Sequence, residues 1–388
     1  MTDRLTYLDH AATTPMRPEA VAAMLPFLSE RFANPSGSHR AARDARLALD
    51  DARDDVAAVL GADAGEIVFT GCGTESDNVA ILGVLRRHGG IAVCPASEHH
   101  AVLHSVEHTG GVVVGVDRAG RIDLDALADA LTDDVRLVSV MAVNNEAGTI
   151  QPLAEVSALV RERAPQALLH TDAVQAACWL DLREITPLVD LLALSAHKFG
   201  GPKGVGVLWA RRGVQFEPLL LGGGQERDRR SGTHNVAGIV ATAAALAATD
   251  AERPATVVRL GGLRDRLCDT LAGVGAVETV PRPHKIAGSA HVCFDGLESE
   301  ALLFLLDQEG ICASAASACA SGAMEPSHVL SAMGVPRSLA AGAVRFSLGA
   351  ATTEADIDRA CTVVPGLVEQ LRARTAQAAR QRSAGSAT

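Results

Sequence analysis

The first 250 residues alternate between short apolar runs and longer segments with helical periodicity. The apolar runs predict strands at residues 66–70, 91–94, 112–116, 137–142, 168–171, 191–195 and 205–209. Two of the helical segments are residues 39–60, followed by Gly61, and residues 153–163. Continuous apolar strands separated by helices are typical of a mostly parallel sheet with helices on both faces. We therefore predict a large α/β domain over residues 15–250.

The pattern changes after residue 250. An amphipathic segment at 251–271 is followed by a strand at 290–294, a helix at 299–308, a loop of small residues at 313–323 and a strand at 344–348. A closing helix is expected near Thr353, because Asp356 stands at the capping-box position, and Pro365 should bend or interrupt it. We predict a smaller α+β domain from residues 1–14 and 251–380. Residues 381–388 have the composition of a disordered tail.

Composition narrows the class of protein. A chain of 388 residues exceeds the size of one hydrophobic core, and its net charge of −11 argues against a nucleic-acid partner. The eight cysteines include no C-x-x-C pair, so neither a metal site nor a disulfide framework is expected. The N-terminus lacks the apolar core of a signal peptide, and no apolar stretch is long enough for a membrane span. We expect a cytoplasmic protein without a membrane partner.

Lys198 stands where the apolar run 191–195 meets a glycine-rich segment. A lysine in this position is poorly solvated, which disfavours the ammonium form and lowers its pKa. A neutral lysine amine is a nucleophile that forms Schiff bases. The alternative is a strand-end lysine that points to solvent.

A phosphate-binding loop is predicted where the strand at 66–70 ends. Gly71 and Gly73 precede Thr74, and the residues that follow open a helix. Free backbone N–H groups approached over glycine suit one phosphate group. An ordinary capped helix would show the same pattern.

Two further polar residues follow predicted strands. Asp172 comes after the run 168–171, 26 residues before Lys198, where an aspartate points into the ligand crevice of a parallel sheet. It would keep a pyridine nitrogen protonated, or it could cap a helix. His99 follows the run 91–94 and is suited to stacking on a flat cofactor, or to a purely structural role. A lysine, an aspartate and a single-phosphate loop on one sheet are the parts of a pyridoxal phosphate site.

The chain resembles the class I cysteine desulfurases, which are fold-type I, pyridoxal phosphate-dependent enzymes of the aminotransferase class V group. The resemblance covers about residues 5–360 and rests on the following motifs: YLDHAATTP, FTGCGTESDN, SEHHAVL, VNNEAGTIQP, HTDAVQ, SAHKFGGPKGVG, GGGQERDRRSGT, SACASGAMEPSHVL and VRFSLG. It implies a mostly parallel seven-stranded sheet beside the smaller domain.

The resemblance implies a role for each matched residue. Lys198 would form the Schiff base, Asp172 would pair with the pyridine nitrogen, Gln175 would bind the ring hydroxyl and His99 would stack on the ring. The phosphate would be held by Gly73, Thr74, Ser195 and His197, with Thr233 reaching the site of the partner subunit in a homodimer. Asn34, Asn145 and Arg345 would bind substrate, Asn145 also contacting the cofactor. The guanidinium of Arg345 is built for a bidentate carboxylate contact.

Cys319 decides the reaction that the resemblance implies. It lies among small residues at 315–323, which cannot anchor a loop in a core. Its thiolate would take sulfur from L-cysteine, release L-alanine and pass the resulting persulfide to an acceptor protein for iron–sulfur assembly or thiolation. A small buried cysteine is the alternative, which suits Cys293 better. Departures from the family pattern are Ala316, Ala350 and Cys72, which stands in the phosphate loop.

Two other functions remain open from the sequence. Another lyase of the same fold, such as a selenocysteine lyase, would share the cofactor residues. A zinc hydrolase would use His104, Glu107 and His108, which fit an inverted zinc-protease pattern, although a solvated helix face explains that pattern equally well.

Overall fold

The computed structural model describes residues 5–315 and 327–385. Within these ranges the strands are β1 (Thr6–Tyr7), β2 (Ile67–Thr70), β3 (Ile91–Pro95), β4 (Val112–Val114), β5 (Val135–Ser139), β6 (Leu168–Asp172), β7 (Leu191–Ser195), β8 (Gly206–Ala210), β9 (Ala276–Glu278), β10 (Ser289–Phe294), β11 (Ile311–Cys312) and β12 (Ala343–Ser347). The α-helices are α1 (Pro18–Met24), α2 (Pro26–Ser29), α3 (Arg40–Leu60), α4 (Gly73–Asn78), α5 (Val84–His88), α6 (His100–His108), α7 (Leu124–Ala130), α8 (Leu153–Arg163), α9 (Leu182–Ile185), α10 (Val236–Ala272), α11 (Ser299–Gln308), α12 (His328–Ala332), α13 (Arg337–Ala340) and α14 (Glu354–Gly385).

A seven-stranded sheet organises the first part of the chain. Its strand order is β2-β8-β7-β6-β5-β3-β4; β8 pairs antiparallel with β2 and β7, and the other pairs in this sheet are parallel. Strands β7 and β8 are buried along their whole length, as is typical of strands covered on both faces. The predicted α/β fold with a mostly parallel sheet is confirmed.

The second part of the chain forms two smaller sheets. One has the antiparallel order β12-β10-β9, and the other pairs β1 in parallel with β11. The side chain of Leu8, directly after β1, belongs to the same apolar cluster as Phe294 and Phe346. These contacts agree with the proposal that the N-terminal residues belong to the smaller domain.

Helix α10 crosses the proposed domain boundary without a break. We predicted a new segment at residue 251, but Pro254 lies inside one helix that runs from Val236 to Ala272. Ile239 and Leu246 in its first half pack into the large core, and Leu260 and Leu267 in its second half pack into the small one. Packing at both ends outweighs the hydrogen bond that proline removes.

Helix α14 begins with the predicted capping box. The backbone N–H of Thr353 donates to Asp356 at 2.8 Å, and the N–H of Asp356 donates to the Thr353 hydroxyl at 3.3 Å. The helix continues past Pro365 to Gly385, so residues 381–385 are helical, contrary to the predicted disordered tail. In the described residues, none of the helices combines the length and apolar character that crossing a membrane requires.

Candidate active site

Lys198 lies at the carboxyl end of β7 and does not point to solvent. A short turn at Ala196–Lys198 follows the strand, and the ammonium donates to the carbonyl oxygens of Ala11 at 2.7 Å and Ala12 at 2.9 Å. The N-terminal segment is fixed there because Thr14 N–H donates to the carbonyl of His197 at 3.0 Å. Burial and the nearby Arg345 lower the pKa of Lys198 to about 8, which makes a substantial neutral fraction available.

A cavity of about 170 Å³ opens beside Lys198 at the carboxyl edge of the sheet. It is lined by Cys72, Gly73, Thr74, Asp77, His99, Met141, Asn145, Asp172, Val174, Gln175, Ser195, His197 and Lys198. The structure thus brings together nine of the residues assigned to cofactor binding, from five separate segments of the chain. A small-molecule site at this edge is where a parallel α/β sheet is expected to place it.

One end of the cavity is suited to a phosphate group. Gly73 begins α4, and a Cβ atom there would lie 2.8 Å from Val174 Cγ2 and 3.2 Å from Ser195 Cβ. Glycine is therefore required for the first turn of α4 to approach β7. Ser195 and His197 line the same cavity as this first turn of α4.

Asp172 ends β6 and is buried in the cavity wall. One of its carboxylate oxygens accepts the N–H of Val174 at 2.9 Å, so it caps a local turn as well as facing the cavity. Burial raises its pKa, while His99, this N–H group and Lys198 act in the opposite direction. A buried carboxylate in this position is suited to pair with a cationic ring nitrogen.

His99 has both the structural and the cavity-facing role. It is the N-cap of α6, where its Nδ1 accepts the N–H of Ala101 at 3.1 Å, and its ring lines the cavity. Burial lowers the pKa of His99, while Asp172 acts in the opposite direction. The flat imidazole ring is suited to stacking on another ring.

Arg345 lies on β12, beside a larger cavity of about 390 Å³ that also reaches Lys198, Asn145 and His10. Its Nη1 donates to the carbonyl oxygen of Asn145 at 2.6 Å, and its Nη2 forms an ion pair with Asp9 at 2.8 Å. Its Nε is buried and has no hydrogen-bond partner among the described residues. A buried unpartnered donor on a held guanidinium is suited to a carboxylate ligand.

Two of the predicted residues lie away from this site in the same chain. Asn34 and Thr233 are exposed, and neither lines either of the two cavities. The Asn34 side chain accepts the N–H of Ser36 at 2.9 Å instead.

Cys319 lies outside the described residues, but the chain on both sides of it is held at the site. Ser314 pairs with Arg345 through two backbone hydrogen bonds of 3.1 and 2.7 Å. On the other side, the hydroxyl of Ser327 donates to Glu146, and a ring nitrogen of His328 lies 2.9 Å from the carbonyl oxygen of Glu98. The described residues that flank Cys319 in sequence therefore contact Arg345 on one side and Glu146 and Glu98, the neighbours of Asn145 and His99, on the other.

The zinc site is not supported. His104, Glu107 and His108 are exposed on α6 and form no cluster of potential ligands. The described residues contain one such cluster, Asp77, His99 and Asp172, whose ligand atoms lie within 4.8 Å of one another. This cluster belongs to the cavity beside Lys198 and includes none of the three residues of the α6 pattern. We therefore interpret that pattern as a solvated helix face.

Two residues of the site were missed from the sequence. Asp77 lies one helical turn after Thr74 and lines the cavity, and Asp9 is the ion partner of Arg345. The spacing of Asp77 on the opening helix was a usable signal. Asp9 carried no local signal, because its partner is 336 positions away.

Comparison with known proteins agrees with this geometry. The model of the aminotransferase class-V family matches residues 6–360. The chain is 43% identical over 381 residues to cysteine desulfurase IscS of Methanosarcina thermophila, which covers 95% of this chain and 93% of that relative.

Solved structures give the same result. A NifS-like protein superposes with a TM-score of 0.90 at 36% identity, covering 95% of this chain and all of the other. A structure described as SspA in complex with cysteine has a TM-score of 0.77 at 31% identity, covering 88% and 98% of the two chains. The resemblance inferred from the motifs is confirmed, and the chain belongs to the aminotransferase class-V family.

Proposed function

We propose that this protein is a pyridoxal phosphate-dependent cysteine desulfurase that converts L-cysteine to L-alanine. The observation that carries the proposal is the meeting of Lys198, Asp172 and the Gly73 turn in one cavity, with Arg345 beside it. The similarity to curated cysteine desulfurases over 95% of the chain supports it.

The residues of the cavity fit pyridoxal phosphate. Lys198 would bind it covalently, Asp172 would hold the ring nitrogen, Gln175 the ring hydroxyl and His99 the ring face. The phosphate would lie against Gly73, Thr74, Ser195 and His197, where a side chain at position 73 would clash. When bound, the cofactor supplies an electron sink for charge that develops at Cα of an amino acid.

Arg345 and Asn145 bind the substrate carboxylate in this proposal. The guanidinium is held from two sides by Asp9 and the Asn145 carbonyl, which leaves its buried Nε free to donate. Holding the carboxylate fixes which Cα bond faces Lys198. A held, desolvated guanidinium orients an anion at little entropic cost.

Lys198 moves the Cα proton. The burial that lowers its pKa to about 8 leaves the amine able to accept and return a proton near neutral pH. The carbonyl oxygens of Ala11 and Ala12, 2.7 and 2.9 Å away, provide a resting position for the ammonium form.

Cys319 takes the sulfur. Its thiolate attacks the sulfur of the substrate, and the bond between that sulfur and the substrate carbon breaks with its electron pair left on the carbon. That carbon is protonated and leaves in L-alanine, and Cys319 is left as a persulfide. The contacts of Ser314 with Arg345 and of Ser327 with Glu146 support this role, because Cys319 lies between these two described residues in the sequence. The persulfide then passes its sulfur to an acceptor protein in the cytoplasm, for iron–sulfur assembly or thiolation.

A homodimer completes the site in this proposal. Thr233 is exposed and lies outside the cavities of its own chain, as expected of a residue that serves a partner. Large apolar side chains are exposed on α2 and near it, including Leu28, Phe32 at 77% and Leu47. We assign these side chains to the dimer interface, where a partner would cover them.

The proposal is tested with protein reconstituted with pyridoxal phosphate. The wild type should show a visible absorption band and release L-alanine from L-cysteine, and Lys198→Ala should lose both. The proposal would be wrong if Lys198→Ala kept the band, or if the wild type released no alanine. Release of alanine from L-selenocysteine but not from L-cysteine would favour a selenocysteine lyase instead.

A further inference from the structure

Asp77 is a second buried carboxyl group in the wall of the cavity, and the proposed reaction gives it no role. It lies on α4 with 1% of its surface exposed, and it lines the same cavity as Asp172. A carboxylate oxygen of Asp77, a ring nitrogen of His99 and a carboxylate oxygen of Asp172 all lie within 4.8 Å of one another. Two like charges this close in a buried site cannot both be fully ionised.

The surroundings of Asp77 contain more acids than bases. Burial raises the pKa of Asp77 well above its usual value, and three neighbouring acids raise it further: Asp172, Glu98 and Cys72. Its nearest histidine is His170, whose Nε2 lies 3.6 Å from Oδ1 of Asp77. Burial lowers the pKa of His170 to about 3, so this ring is neutral and supplies no counter-charge.

Asp172 is better placed than Asp77 to keep the negative charge. It accepts a backbone N–H group from Val174 at 2.9 Å, and His99 and Lys198 both lower its pKa. Oδ1 of Asp77 has no hydrogen-bond partner among the described residues. The two carboxyl groups therefore differ in what stabilises their ionised form, and the proton belongs on Asp77.

A buried pair of polar side chains, His170 and Ser139, lies behind Asp77. Nδ1 of His170 lies 2.8 Å from the hydroxyl of Ser139, and both side chains are completely buried on neighbouring strands. When Ser139 donates to Nδ1, the Nε2–H of His170 points toward Oδ1 of Asp77. That leaves the other oxygen of Asp77 to carry the proton on the cavity side.

We propose that Asp77 is a positioning residue that stays protonated, so that Asp77 and Asp172 together hold a single negative charge against the ring nitrogen of the cofactor. One negative charge matches one protonated ring nitrogen, whereas two would over-stabilise the cation and weaken the binding of the anionic phosphate end. The inference rests on the proposed function, since it concerns the cofactor that the proposal assigns to this cavity.

The test uses infrared spectra of the reconstituted protein near pH 7.5, with carbon-13 in the aspartate side chains. A protonated aspartic acid has a carbonyl stretch that the label shifts, and Glu98, also buried, is left unlabelled and does not contribute to the shift. We expect one shifted band in the wild type and none in Asp77→Asn. A wild-type spectrum without a protonated-aspartate band would overturn the inference, and so would a band that survives in Asp77→Asn. The wild-type spectrum alone can overturn the inference, so the test does not depend on whether a variant folds.

A pH titration of the visible band gives a second readout. Asp77→Asn keeps a neutral donor of the same size, so the titration midpoint of its visible band should lie within about 0.3 unit of the wild-type midpoint. Asp172→Asn removes the negative charge, so it should lower that midpoint by about one unit or more. If Asp77 is ionised, Asp77→Asn should lower the midpoint as Asp172→Asn does, and the inference fails. Loss of the visible band from the wild type itself would instead contradict the proposed function.

Discussion

The guanidinium of Arg345 forms a 2.8 Å ion pair with the carboxylate of Asp9, although the proposed role of Arg345 is to bind the carboxylate of the substrate. The pair joins β12, which carries Arg345, to the segment after β1, which carries Asp9. Asp9 therefore both orients the arginine and repels the incoming carboxylate.

The Asp9 pair predicts opposite effects for two substitutions. Arg345→Lys loses the planar fork and should raise the KM for L-cysteine by about 10- to 100-fold, which corresponds to about 1.5–3 kcal/mol for a charged hydrogen bond. Asp9→Asn keeps an acceptor for Arg345 and removes the repulsion, so it should lower the KM about fivefold, or about 1 kcal/mol. Steady-state kinetics at saturating cofactor measures both. A raised KM in Asp9→Asn would mean that orientation of the arginine outweighs repulsion.

Lys198 should set the pH dependence of cofactor uptake. With its pKa at about 8, the amine is mostly protonated below that pH and mostly neutral above it, and only the neutral form attacks an aldehyde. The rate at which the visible band develops in apoprotein should therefore rise with pH, with a midpoint near 8. A rate that is flat or falls between about pH 7 and 9 would show that Lys198 is not the limiting group.

The cysteines should differ sharply in their effect on turnover. Cys319→Ser should stop alanine formation from L-cysteine, because the hydroxyl is not a nucleophile toward sulfur. Cys72→Ser, in the phosphate loop, and Cys312→Ser, on β11, are matched controls that should retain most of the rate. Alanine formation at the wild-type rate in Cys319→Ser would remove Cys319 from the mechanism.

Substitution of Glu226, a buried ion-pair partner, should lower the free energy of unfolding far more than substitution of an exposed one. It accepts two hydrogen bonds of 2.7 Å from Arg53 and one of 2.9 Å from the backbone of Phe69, within a turn where Glu226, Arg227 and Asp228 all have positive φ. Glu226→Gln leaves Arg53 buried without its charge partner and should cost about 3–5 kcal/mol of unfolding free energy. Asp63→Asn, in the exposed pair with Arg212, should cost under about 1 kcal/mol.

Acid should weaken the same interaction. Burial alone would raise the pKa of Glu226, but the hydrogen bonds from His234 and Arg53 lower it to about 2. Its folded value lies below its unfolded value of 4.5, so the stabilisation is complete above pH 4.5 and is lost as the pH falls toward 2. Chemical denaturation as a function of pH should show this loss in the wild type and a smaller one in Glu226→Gln. An equal acid dependence in both proteins would contradict the assignment.

The sequence predicts regular elements best where packing and capping agree. Helices 153–163 and 299–308 and strand 191–195 have the predicted bounds. Strand β4 is shorter than predicted because it lies at the sheet edge, where Val112 and Val113 are exposed. The unbroken helix α10 could not be predicted, since the contacts that hold it through Pro254 come from two different cores.

The site residues that stand in local sequence motifs could be predicted. Asp172 is the last residue of a strand, Lys198 and His99 come shortly after one, and a parallel sheet brings such positions to one edge. Asp77 and Asp9 act through partners that the local pattern does not reveal. For Asp77, the spacing indicated a helix face, but only the fold shows that this face meets Asp172.

The most direct test of the account is mass spectrometry of the reconstituted protein after L-cysteine is added without a reductant. We expect the wild type to gain the mass of one sulfur atom on the peptide that contains Cys319, with one alanine released for each sulfur gained. Cys319→Ser should gain none. Sulfur on the Cys72 peptide, or alanine released with no sulfur on the protein, would contradict the account.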